Sequence, residues 1–259
     1  MDKGIIPREF YIGRYIYLTG KLENLPKASF VHDGGKVLIS ILTTEQKTGE
    51  RKRRRISQKN AEWEEYNKSA LIRSHLEDQL NKTLANWSQD YQGSLRSISC
   101  HYELRPDCSS VYNSEMWDSF KDNECSKEKS RMIYHNCVEM RSQFEADAAE
   151  ILDNLGIDYK YDICLTTESN GSLYPDFAMN FPEFNRCGFL ELLGLLDRNV
   201  YVNDNAYKFK RYINSGIYPN RDIAFVSADD KYRPDHDTVK RIIGVIIDSF
   251  ARQCVIRKL

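Results

Sequence analysis

Hydrophobic and polar positions change period several times along the chain. Over residues 139–155, Phe144, Ala148, Ile151, Leu152 and Leu155 recur on one helical face, and Gly156 follows as a stop. Residues 235–252 predict a second amphipathic helix through Val239, Ile242, Ile243, Ile246, Ile247 and Phe250. Over 59–92, Leu76, Leu80, Leu84 and Trp87 fall three and four residues apart, with Gly93 beyond them. A polar segment from Ser114, carrying Trp117, Phe120, Met132, Ile133 and Val138, is expected to pair with that helix as an antiparallel arm or lid. Residues 204–215 predict a shorter helix ended by Gly216. Strands are expected over 10–18 and 36–44, with Pro26 and Gly34-Gly35 as turns between them. Further strands are expected over 97–104, 158–167 and 222–227.

Residues 173–196, LYPDFAMNFPEFNRCGFLELLGLL, form the most informative stretch. Two apolar runs flank a turn at Pro182, Asn185 and Arg186, and each run carries one carboxylate, Asp176 and Glu191. As a hairpin, this places two acids on adjacent strands inside a hydrophobic sheet. The two-residue period puts Phe177, Met179 and Phe181 on one face and Asp176 on the other. Buried carboxylates are costly without compensation, and a divalent cation is a usual partner. Hard cations such as Mg²⁺ take one or two carboxylates together with waters and phosphate oxygens. A metal-dependent phosphodiesterase centre is therefore the reading to test.

Composition narrows the rest. At 259 residues, with 41% hydrophobic and 29% charged positions, the chain reads as globular with an ample core. A formal net charge of −1 leaves any nucleic-acid surface to a local patch. The basic run over 47–55 is that patch: either a solvated loop, or phosphate contacts through Arg51, Lys52, Arg53, Arg54 and Arg55. Seven cysteines, spread singly and without CxxC pairs, fit a reducing compartment, so a cytoplasmic protein without membrane segments is expected. The histidines lack HExxH spacing; His236, between Asp235 and Asp237, reads as part of a capped helix start.

From residue 139 onward the expected order is helix, three strands, helix, strand, helix. That order, with acids at these places, resembles the PD-(D/E)XK nuclease superfamily over roughly residues 135–255. Arg141, Ser142 and Glu145 look like its opening helix, Gly156-Ile157 and DYKYD like its first strand, and Pro175-Asp176-Phe177 like its PD motif. Glu191 stands at the second acid. Two residues later the basic pattern has lysine, where this chain has Leu193. Glu191-Leu192-Leu193-Gly194 is similar instead to E-x-x-G branches, which can move the lysine to the next helix, four residues before a tyrosine. Lys208 and Tyr212 look like that arrangement, with Lys210 as the alternative lysine.

The resemblance implies an α/β fold with a restriction-endonuclease-like core, a central mixed sheet flanked by helices, over 139–259. A β-rich and helical region over 1–138 would supply substrate or partner contacts. It further implies Mg²⁺ or Mn²⁺ held by Asp176 and Glu191 with help from Glu145, Lys208 acting on the attacking water, and Tyr212 positioning a phosphate or Lys208. The expected activity is endonucleolytic cleavage of DNA, in phage defence, transposition or repair, with a homodimer or other subunits completing a double-strand cut. The alternative is a catalytically inactive nuclease fold serving as a DNA-binding or assembly subunit.

Overall fold

The computed structural model describes residues 4–44, 50–123, 133–167, 171–194, 199–229 and 231–258. The chain opens with helix α1 (Arg8–Asn24), the sheet strands β1 (Ala28–Asp33), β2 (Lys36–Thr44) and β3 (Arg51–Ile56), and the long helix α2 (Trp63–Asp90). Next come α3 (Leu95–Ser99), β4 (Tyr102–Leu104), a 3₁₀ helix (Ser114–Ser119), β5 (Lys121–Asp122), β6 (Ile133–His135) and β7 (Val138–Met140). The remainder is α4 (Gln143–Leu155), β8 (Asp158–Tyr161), β9 (Ile163–Thr167), β10 (Gly171–Leu173), β11 (Phe177–Phe181), β12 (Arg186–Leu193), α5 (Asn199–Asn214), β13 (Ile223–Ser227), α6 (His236–Cys254) and β14 (Val255–Arg257). No helix among the described residues is long and apolar enough to cross a membrane.

In the N-terminal half the strand over 36–44 (β2) and the helix within 59–92 (α2) form as expected, and other segments depart. Residues 10–18 are helical, not extended: Pro7 precedes α1, and its buried Phe10, Tyr11, Arg14 and Leu18 recur at helical spacing. Packing has overridden the β propensity of an aromatic, β-branched run. There is no helical arm after Ser114 among the described residues, but one 3₁₀ helix, β5 and the β6–β7 hairpin; Met132 lies outside the described residues. On α2 the buried residues are Ala70, Gln79, Thr83 and Trp87, whereas Leu84 is exposed. Burial of the polar pair is tolerated because Gln79 donates to Asp158 (2.9 Å) and Thr83 to the Gln79 carbonyl (2.7 Å). Residues 95–99 are helical, leaving a strand only over β4.

The second half follows the expected order more closely. The helix expected from residue 139 begins at Gln143, because Val138–Met140 pairs with β6 and Ser142 caps α4. The 158–167 strand breaks at Asp162 (φ 50°), so β9 leaves the central sheet and joins β5 and β10. The central sheet runs β13-β12-β11-β8, with β12 and β13 parallel and the other pairs antiparallel.

Side chains alternate cleanly across this sheet. Phe177, Met179, Phe181 and Leu190 enter a core built with α1, α4 and α6. Ala178, Cys187 and Phe189 enter a second core with Tyr212 of α5, Phe120 and Ile217. The chain is thus mixed α/β with helices on both faces of a mixed sheet. The first core also takes Phe10, Tyr11 and Trp87, so its packing crosses the 138/139 boundary. Gly13 allows α1 to approach this closely: a Cβ there would stand 2.7 Å from Phe184 and 2.9 Å from Val255.

Candidate active site

Antiparallel pairing of Phe177 with Leu190 places Asp176, one residue before β11, across from Glu191 on the interior strand β12. Asp176 is in phase with Ala178 and Glu191 with Phe189, so both acids face α5. Glu191 is 0% exposed and Asp176 7%. On α5, four-residue spacing turns Lys208 and Tyr212 to one side, and Tyr212 and Phe209 seat their rings against Phe225 of β13 at 5.9 and 5.3 Å. The Lys208 ammonium bonds Glu191 Oε1, and the buried Tyr212 hydroxyl donates to Glu191 Oε2 (2.8 Å). Lys210 is exposed and makes no described contact with either acid.

Asp176 is held at both oxygens. The Leu192 N–H donates to Oδ2 (2.7 Å), and Arg141 Nη2 donates to Oδ1 (2.9 Å). Arg141 also lies 3.4 Å from Glu145 Oε1 and 3.8 Å from Asp162 Oδ1, and donates to the Tyr161 hydroxyl (3.1 Å). Asp162 is itself buried and is tied to Asp176 by its N–H on the Asp176 carbonyl (2.8 Å). An open cleft of ≈ 850 Å³, lined in part by Asn123, Lys160, Tyr161 and Asp162, shares the last two residues with this network.

Glu145 stands differently from its expected place in the ligand set. Its carboxylate closes the capping box of α4, accepting from Ser142 N–H (2.8 Å) and from the Tyr161 hydroxyl (3.0 Å). It meets Asp176 through Arg141. Among the described residues no group of three or more His, Cys, Asp or Glu side chains is arranged to hold a metal ion. The candidate ligand set is therefore the Asp176–Glu191 pair, not a three-carboxylate cluster.

The electrostatics are those of crowded acids. Burial, followed by the charge of Glu191, pushes the Asp176 carboxyl well above the usual range, against the Leu192 N–H, Lys208 and Arg141. Burial and Glu191 likewise raise the Tyr212 phenol, keeping it a proton donor. Burial acts to lower Lys208, but Glu191's charge and hydrogen bond outweigh it, so Lys208 stays protonated.

The basic run sits elsewhere. Arg51 to Arg55 form β3, an edge strand paired with β2, not a loop. Because Ile41 faces the small core under α2, its partner Arg54 shares that side, and Arg51, Arg53 and Arg55 line the outer face. Arg54 pairs with Glu62 (2.6 Å) and Arg55 with Asp33 (2.7 Å), all exposed.

Sequence reasoning had no role for Arg141, Tyr161 and Asp162 as a group. Their signal is the charge-bearing position before the capping serine and the acid that breaks the DYKYD strand. Comparison of the chain with protein-family models, with curated proteins and with solved structures finds no match.

Proposed function

We propose that the chain is a DNA endonuclease of the PD-(D/E)XK type, with a restriction-endonuclease-like core and a Mg²⁺ or Mn²⁺ ion at Asp176 and Glu191. The observation that carries this reading is the buried Asp176–Glu191 pair on one sheet face with Lys208 bonded to Glu191. The donor set fits a hard cation. Asp176 and Glu191 are adjacent carboxylates whose basic partners, Arg141 and Lys208, both reach solvent, and a hard cation takes one or two carboxylates together with waters and phosphate oxygens.

A bound divalent cation would supply an acidified water and charge stabilisation at the scissile phosphate. Lys208, protonated and 46% exposed, orients that water or meets developing negative charge. Tyr212 fixes the Glu191 carboxylate from the buried side. The outer face of β3 offers Arg51, Arg53 and Arg55 to backbone phosphates.

A second reading keeps the fold as a DNA-binding or assembly subunit without catalysis. It is favoured by the hydrogen bonds that already occupy all four oxygens of the acid pair. Cleavage of supercoiled plasmid and labelled oligonucleotides, with Mg²⁺, Mn²⁺ or EDTA, decides between them. The nuclease reading expects cation-dependent cutting that falls at least about 100-fold in Asp176→Ala, Glu191→Ala and Lys208→Ala. Absence of cutting together with absence of cation binding in the wild type would sink it. In EDTA, the triple change of Arg51, Arg53 and Arg55 to Gln should flatten the salt dependence of DNA binding by about 2.7 in log–log slope.

A further inference from the structure

Resting on the nuclease reading, we propose that Arg141 is the resident cation of the acid cluster and leaves Asp176 for a nucleic-acid phosphate when a divalent cation is taken up. The two acids are built alike. Each has one oxygen on a fixed, buried donor: the Leu192 N–H of the β-ladder for Asp176, and the 1% exposed Tyr212 for Glu191. Each has its other oxygen on a basic side chain open to solvent: Arg141, 37% exposed, and Lys208.

Only the basic partners can vacate without breaking the sheet or unpacking α5. Their departure frees Asp176 Oδ1 and Glu191 Oε1, one oxygen from each acid. A divalent ion at those two oxygens would take over the compensation of both acids, while Arg141 keeps Glu145 and Asp162 as partners. Arg141 is suited to the move. Its guanidinium is shared among Asp176, Glu145, Asp162 and Tyr161, so losing one partner leaves three, and it stacks at 5.7 Å on the Tyr161 ring beside the open cleft. A planar guanidinium released there offers paired donors to a phosphate.

Arg141 is in this view a competitor for the cation and a positioning group for the substrate, and the two roles give opposite signs on removal. Mn²⁺ binding without nucleic acid is measured by calorimetry for wild type, Arg141→Gln and Tyr212→Phe, with circular dichroism confirming the fold. Affinity for a duplex oligonucleotide is measured in Ca²⁺ and in EDTA. Arg141→Gln should bind Mn²⁺ about 10-fold more tightly yet lose about 10-fold of the Ca²⁺-dependent gain in duplex affinity; Tyr212→Phe should not tighten Mn²⁺. Unchanged or weaker Mn²⁺ binding by Arg141→Gln overturns the proposal, as does tighter binding with the duplex gain intact. A wild type that binds Mn²⁺ but shows no Ca²⁺-dependent duplex gain overturns the role of Arg141 and leaves the metal site standing. A wild type that binds no Mn²⁺ overturns the nuclease reading itself.

Discussion

Glu183 and Glu191 sit at opposite ends of the β11–β12 hairpin's second half, both buried, and they answer burial in different ways. Glu183 forms an ion pair with Arg14 at 3.4 Å, and the two side chains are sealed at 1% and 2% exposure. Arg14 also donates to the Gly156 carbonyl, so the pair ties α1 to the end of α4. Burial and the nearby charge of Asp158 raise the Glu183 carboxyl, and Arg14 acts against them. Around Glu191 four acids share two basic groups, and both basic groups reach solvent. A sealed pair fixes architecture; adjacent acids whose basic partners reach solvent are poised to take up positive charge.

The sharpest way to break this contrast is to remove one acid from each place. Although the Glu183 carboxyl is itself raised by burial, Glu183→Gln takes away the acid that the sealed Arg14 pairs with and should cost about 3–5 kcal/mol, read as a lower urea midpoint at unchanged slope. Asp176→Asn should act in the opposite direction. The folded protein raises the Asp176 pKa above its unfolded value, so ionisation is penalised in the fold. Stability of the cation-free protein then declines as pH climbs from near the unfolded value, about 3.9, through the raised one. Asn abolishes that decline, and the variant should be more stable than wild type at neutral pH by about 0.5–2 kcal/mol. Equal or lower stability of Asp176→Asn in EDTA would show that the acids are already balanced.

A third, weaker pair calibrates the scale. His75 of α2 lies 3.0 Å from Asp158 of β8 and is 55% exposed. The hydrogen bond to Asp158 raises the His75 pKa, outweighing burial. Its contribution is therefore complete below the unfolded value of about 6.5 and disappears as pH rises through the raised one. Burial acts to raise Asp158, but His75 outweighs it and the carboxyl is lowered, so the pair persists into mild acid. His75→Gln should cost under about 1 kcal/mol at pH 6 and nothing measurable at pH 9, by thermal melts across that range.

Legibility followed how far each signal was local. The hairpin acids, the stop at Gly156, the Asp235 cap of α6 and the Lys208–Tyr212 spacing are all written within a few residues, and each lies where its pattern suggests. Arg14 shows the converse: nothing near it in sequence announces a buried arginine, because its counter-charge is Glu183, far along the chain. Residues 10–18 misled because aromatic and β-branched side chains fit a strand or a crowded helix equally well, and only packing against α6 and β14 decides. The role of Arg141 was illegible for a similar reason, since three separate segments supply its acids. Glu145 stands as a metal helper on the resemblance alone, and the local hydrogen bond of the Ser142 capping box takes its carboxylate.

The close seating of α1 has a consequence in time. Gly13 lets that helix rest on Phe184 and on Val255 of β14, so part of its packing is completed by a residue about 240 positions further along the chain. At about 5–20 residues per second, a ribosome separates the two by roughly 10–50 s. Through that interval α1 can pack on α2 but not on β14, and the core behind the sheet carrying Asp176 and Glu191 is incomplete. The core behind the acid pair is therefore complete only once residues about 240 positions apart have met.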